Sequence, residues 1–262
     1  MSLIVSVFIN GAIVMASDSR ASMSRTMVNG NQTVVDNFIH YNDTTMKTYL
    51  CPNNCGISVC GNATIEGSPI SGRIDSFIKE CIKDSTDVEE MPKLILEYFH
   101  KFKIASPTIF HICGFHNNGG SYEKRVYKIE LMKQSVQIDG KEKCGVFWDG
   151  EVDVLTKLIK STILPFDNTS IISVDNVNLD NKKIDHAYII DRDKSVVLKE
   201  MELPIDQFTI QDAIDFAVYA IKTTAETMRF QLTAKTVGGP IDVLVLKPSE
   251  ALWVKKKELK VE

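Results

Sequence analysis

The stretch that most constrains this chain runs from Leu3 to Ala16, where an apolar run, Leu3 to Ile9, is followed by Asn10-Gly11 and a second apolar run, Ala12 to Ala16. Asn-Gly is the pair that a type I′ hairpin turn selects, because both of its central residues need positive φ. The two runs are therefore antiparallel strands. They are apolar at nearly every position rather than at alternate ones, so both faces of the pair must be covered. A chain of 262 residues can build a core large enough to do so.

The rest of the chain supplies the covering elements. Residues 22 to 45 are polar and read as a loop carrying a short strand at Val34 to Ile39. Thr48 to Cys51 and Ile57 to Cys60 flank Pro52-Asn53-Asn54, which predicts a second hairpin ending at Gly61. Ser68 and Pro69 read as N-cap and first residue of a helix whose buried face holds Ile70, Ile74, Phe77, Ile78, Cys81 and Ile82. A second helix is expected from about Asp87, with Met91, Leu94, Ile95, Tyr98 and Phe99 as its stripe. Strands follow at Thr108 to Gly114, Arg125 to Leu131, Ser135 to Ile138 and Gly145 to Trp148, then a helix after Asp149. Residues 165 to 207 mix short strand-like runs with Asn and Asp. Thr209 with Asp212 opens a long amphipathic helix, and Gly238-Gly239-Pro240 leads into a last strand, Ile241 to Leu246. This order predicts an α+β fold in which two antiparallel sheets stack and a helix layer covers each outer face, a four-layer αββα sandwich.

Composition narrows the function classes. With 30 basic against 34 acidic residues the formal charge is −4, which offers no cationic surplus for phosphates, so a nucleic-acid partner is not expected. The apolar runs near the start fall short of the roughly 20 residues that span a bilayer, and no basic segment followed by an apolar run and a cleavage site opens the chain. A cytoplasmic protein without membrane association is expected. Six cysteines then read as free thiols. Cys51, Cys55 and Cys60 are close enough to raise a metal question, but they straddle a hairpin with no histidine nearby, and neither metal nor cofactor is expected.

The stretch "SLIVSVFINGAIVMASDSRAS" resembles the N-terminus of proteasome β-type subunits and of the HslV peptidase, members of the N-terminal nucleophile (Ntn) hydrolases. "KTYLCPNNCGISVCGNAT" is similar to the family segment that runs from a lysine through a hairpin to a glycine, and "TVGGPIDVLVL" to its Gly-Gly strand. The resemblance implies one Ntn domain over residues 1–262, with insertions near 22–45 and 165–207. It implies that Ser2, once Met1 is removed, is the nucleophile and its own α-amine, with a pKa of about 8, the base. Lys47 would be the neighbouring cation, Asp18 the carboxylate holding Lys47, and Gly61 a backbone donor to the oxyanion. Implied partners are further copies of the chain, in a ring, and a peptide or amide substrate, with an ATPase partner left open.

The likeness also has gaps. The family's Gly-Ser-Gly stretch is matched by Gly145-Val146-Phe147-Trp148, and the aspartate and serine before its Gly-Gly by Ala234 and Val237. Each site residue has a plainer reading too: Ser2 as a second residue only, Asp18 as a turn cap or partner of Arg20, Lys47 as a surface lysine, Gly61 as a tight strand exit. Three functions therefore stand: a peptidase, an inactive assembly subunit on the same fold, and a small-amide amidase.

Overall fold

The computed structural model describes residues 2–29, 32–139, 144–159, 172–179, 182–191, 194–196, 203–232 and 234–258; for 23–41, 139 and 172–196 it describes the backbone alone. The opening hairpin is β1 (Leu3–Ile9) and β2 (Ala12–Ser17), paired antiparallel from Ile4↔Ser17 to Ile9↔Ala12. Gly11, with φ +76°, turns the corner. Every residue of both strands is buried, as a pair with two apolar faces requires. At about 1.5–3 kcal/mol for each large aliphatic side chain, this hairpin is a main source of stability.

β3 (Ala21–Asn29) and β4 (Gln32–Asn42) form a separate antiparallel ribbon. The sequence pattern predicts a loop with one short strand there. The ladder of a two-stranded ribbon is made by backbone groups that polar residues carry as well as apolar ones, so a polar sequence is compatible with it. β5 (Thr48–Leu50) and β6 (Gly56–Gly61) make the next hairpin, and β7 (Thr64–Ile65) with β8 (Ser68–Pro69) a minimal one. Ser68 is thus a strand residue, not the expected cap: α1 (Ile70–Cys81) starts behind Pro69 with no side-chain cap. α2 (Met91–His100) begins four residues after Asp87, and the turn at 88–90 precedes it. β9 (Thr108–Asn118), β10 (Ser121–Glu130), β11 (Ser135–Asp139) and β12 (Gly145–Gly150) follow. α3 (Asp153–Ile159), β13 (Ile172–Leu179), β14 (Lys182–Asp191) and β15 (Lys194–Val196) come next. A short 3-10 turn (Ile205–Gln207) precedes α4 (Ile210–Arg229), and β16 (Asp242–Lys247) with β17 (Glu250–Lys255) close the order. The capping box expected at Thr209 and Asp212 is formed in both directions.

The chain divides into two compact units. The smaller, Asp153–Leu203, holds α3 and an antiparallel sheet in the order β13-β14-β15. The larger holds everything else, including two five-stranded antiparallel sheets, β12-β1-β2-β16-β17 and β11-β10-β9-β6-β5. Phe8, Ile13, Met15, Leu244 and Leu246 of the first sheet share a core with Cys113 and Val126 of the second. The sheets approach closely at Gly56, where an added Cβ would lie 2.3 Å from the Met15 sulfur. On the second sheet's other face Ile57, Val59, Phe110, Ile112 and Ile129 pack with Ile74 and Phe77 of α1 and Ile95 and Phe99 of α2. α4 lies on β1 and β2 and buries Ala213, Ala217 and Ala220, small residues that let a helix approach a sheet closely.

Candidate active site

The site is built where β2 runs out. Asp18, the residue after the strand, is fully buried, and its carboxylate has four donors. Oδ1 accepts from the backbone N–H of Leu3 (2.9 Å) and from Lys47 Nζ (2.7 Å). Oδ2 accepts from the N–H groups of Arg20 (3.1 Å) and Gly238 (3.0 Å). One side chain therefore ties the start of β1, the turn after β2, the loop before β16 and the residue before β5. The Arg20 guanidinium pairs with Asp43 instead, through 2.8 and 2.9 Å bonds.

Lys47 is 3% exposed, and its ammonium also donates to the Arg20 carbonyl at 2.6 Å. Burial pushes its pKa below the ordinary lysine value, with the charge and hydrogen bond of Asp18 opposing. The plain reading of a solvated surface lysine is excluded by that burial.

Ser2 is also buried, and its carbonyl accepts from the Glu151 N–H at 2.8 Å. Gly150, at φ +103°, makes this fit possible: an added Cβ would sit 1.8 Å from the Ser2 carbonyl oxygen. Ser2, Lys47, Cys60 and Gly61 line one cavity of about 20 Å³, room for about one water. Gly61 adopts φ +106° with its Cα pressed on the Pro107 carbonyl, 2.2 Å from where a Cβ would be. Ala21, Thr45, Met46, Ala63 and Ile70 line this cavity and also a much larger one, about 1050 Å³, which Tyr49, Leu50, Ile78 and Trp253 make largely apolar. Met1 lies outside the described residues.

Two buried polar groups escaped the sequence reading. Between the sheets, Ser6 Oγ is 2.9 Å from His111 Nδ1, His111 Nε2 is 2.9 Å from Asp149 Oδ2, and Lys128 Nζ donates to Asp149 Oδ1 at 2.6 Å. His111 is fully buried, so this Ser-His-Asp chain has no access for a substrate and acts as a polar tie between β1, β9, β10 and β12. Burial holds the imidazole pKa down despite the hydrogen bond and charge of Asp149. Burial would raise Asp149, but the His111 and Lys128 hydrogen bonds and charges outweigh it and hold the carboxyl below its ordinary value. The available signal was Ser6 and His111 as polar interruptions of apolar strands. The other group is Asp242, fully buried, which pairs with Lys257 just past β17.

All six cysteines are free thiols, and burial pushes Cys51 and Cys113 up to about 12. Among the described residues the set with metal-ligand spacing is Asp87, Glu89 and His116; Cys51, Cys55 and Cys60, which raise the metal question in the sequence, do not form one. Its members already have partners: His116 is 2.8 Å from Asp87, and Arg125 is 2.6 Å from Glu89.

No protein-family profile matches the chain, and no curated protein does. Among solved structures it is similar to eukaryotic HslV from Trypanosoma brucei, at 11% identity and a TM-score of 0.43, over 94% of this chain and 99% of that one. The chemistry of the site follows from its own geometry.

Proposed function

We propose that the chain is a proteasome-type Ntn hydrolase, a four-layer αββα sandwich in which Ser2, freed by loss of Met1, cleaves a peptide or amide. The observation that carries this reading is the buried Lys47, held by Asp18 and lining the same small cavity as Ser2 and Gly61. An ammonium held 2.7 Å from a carboxylate with three further donors is fixed in place, so it costs no reorganisation when charge develops beside it. Ser2 Oγ would attack the carbonyl carbon while its proton passes to the α-amine, directly or through one water; the new C–O bond forms and the C–N bond breaks with the proton delivered to the departing amine. Water then hydrolyses the ester and restores Ser2. Lys47 would stabilise the alkoxide-like oxygen and a Gly61 N–H the oxyanion, while the larger apolar cavity next door would take a substrate side chain.

The test is an intact-mass measurement on protein expressed with its native start, before and after a β-lactone. Loss of methionine and a single adduct mapped to Ser2, absent in Ser2→Ala, is the expected result. Retained Met1, or an adduct that survives Ser2→Ala, removes Ser2 as nucleophile. A second reading, the inactive assembly subunit, is favoured by Val237: it is 1% exposed and apolar where the resembled family has a serine near the terminal amine. Both readings expect ring assembly, so light scattering should give a mass several times 29.3 kDa. A monomer at micromolar concentration would favour the small-amide amidase.

A further inference from the structure

The Lys47–Asp18 pair is not the only buried ion pair in its neighbourhood. Asp242 opens β16 and faces Ser17 across the ladder, one residue before Asp18. Its Oδ1 accepts from the Lys257 N–H at 2.7 Å, and its Oδ2 pairs with Lys257 Nζ. The Lys257 side chain is 2% exposed and the Asp242 side chain 0%. Lys257 Nζ also lies 3.5 Å from the sulfur of Met46, the residue before Lys47 and part of the wall of both cavities. The residues beyond β17 thus bring a second buried ammonium to the edge of the candidate active site. Burying two ions costs several kcal/mol each before their attraction is counted, and an apolar pair of like volume would be no less stable.

We infer that Lys257 is a positioning residue of this site, which acts by neutralising Asp242 so that a bare carboxylate does not oppose the negative charge developing on Ser2 and its oxyanion. The rate effect rests on the reading of Ser2 as nucleophile; the charge coupling to Lys47 does not. Charges buried as these are interact strongly because little water screens them. The groups facing Lys257 are Asp242 from β16, Lys47 from before β5 and Asp18 from after β2. Those facing Lys47 are Asp18, Cys60 and Asp43, with the Arg20 carbonyl. Burial first, and then the Lys47 ammonium, push Lys257 down to about 8, while Asp18 pulls it upward. Loss of the Lys257 proton would leave the buried Asp242 side chain without its cation.

Two measurements test this, one of them independent of activity. With ¹³Cε-labelled lysine in the folded protein, the signal that disappears in Lys257→Met should titrate near 8. Lys47→Met should move it up by about one pH unit, because a neighbouring cation is gone. If Lys47→Met does not fold, the neutral pair Asp18→Asn/Lys47→Met takes its place; with Asp18's upward pull gone as well, the signal should still rise, by a smaller step. A Lys257 titration at the ordinary lysine value, or one that neither variant moves, overturns the inference. In kinetics, Lys257→Met should lower the acylation rate about tenfold at neutral pH with KM little changed, and Asp242→Asn/Lys257→Met should restore most of it. The alkaline limb of the pH–rate profile near 8 should vanish in that double variant. Equal rates in Lys257→Met and the double variant would also overturn it, since a merely structural role gives no charge-dependent rescue. Should Ser2 prove unreactive while the NMR shifts appear, the coupling stands and the hydrolase reading falls.

Discussion

Lys47→Met is expected to reduce β-lactone labelling of Ser2 and peptide turnover by roughly 1000-fold, at the upper end of what one positioned catalytic group supplies. It is also expected to destabilise the fold by about 3 kcal/mol, because it leaves the Asp18 carboxylate buried without its cation. A lysine read from sequence as a catalytic cation alone predicts that Lys47→Ala barely changes the folded state; burial of the pair, with Lys47 at 3% and Asp18 at 0%, argues for a stability loss as well. Asp18 keeps backbone donors from Leu3, Arg20 and Gly238, which holds the loss near the lower end of the range for broken buried pairs. Asp18→Asn/Lys47→Met separates the two effects. It removes both charges, so urea denaturation should show stability partly recovered while labelling stays lost. Full labelling by either variant, with the fold intact, would end the catalytic assignment of Lys47.

His111→Leu is expected to cost about 3 kcal/mol, because it removes the imidazole partner of Ser6 Oγ and takes a donor from Asp149 inside the inter-sheet core. Its second consequence is a changed pH dependence. His111 has a lower pKa folded than unfolded, so the unfolded chain takes up a proton first as the solution is acidified. Its stabilising contribution is complete above the unfolded value of 6.5 and is lost as pH falls from there toward the folded value, at up to about 1.4 kcal/mol per pH unit. Asp149 adds a separate loss at lower pH: its folded pKa lies below 3.8, so its contribution fades only as pH falls under that. Denaturant midpoints between pH 7 and 5 should decline in the wild type, and that slope should flatten in His111→Leu. An unchanged slope would show that His111 does not stay neutral in the folded protein.

The sequence around these two residues does not specify their surroundings. Lys47 follows a largely polar stretch, Asn42 to Thr45, that fits a surface lysine as well as a buried one; in the fold its carbonyl accepts from the Val59 N–H and it lines one cavity with Val59 and Cys60. His111 lies in an apolar run, which predicts an inward-facing imidazole but not its partners. Ser6 is 105 residues away in sequence and Asp149 is 38. The β1–β12 register, with Ile4 opposite Asp149, sets Ser6 and Asp149 near each other in one sheet, and the approach of β9 from the other sheet brings His111 to both.

The features legible in the chain are those whose interactions reach only a few residues. Asn10-Gly11 sets the turn and register of β1 and β2, and their two apolar faces dictate burial. The Thr209–Asp212 box starts α4 because its hydrogen bonds span three residues. Even such signals yield when a neighbour competes, as Ser68 shows: β7 claims it before α1 can use it as a cap. Where charge is buried, by contrast, was settled by packing alone. Asp18 takes donors 15, 2, 29 and 220 residues away, and Asp242 is met by Lys257, 15 residues on and past the end of the last strand. A carboxylate is held ionised in a core only when all its donors converge on it at once, and that convergence belongs to the stacking of two sheets rather than to any local stretch of the chain.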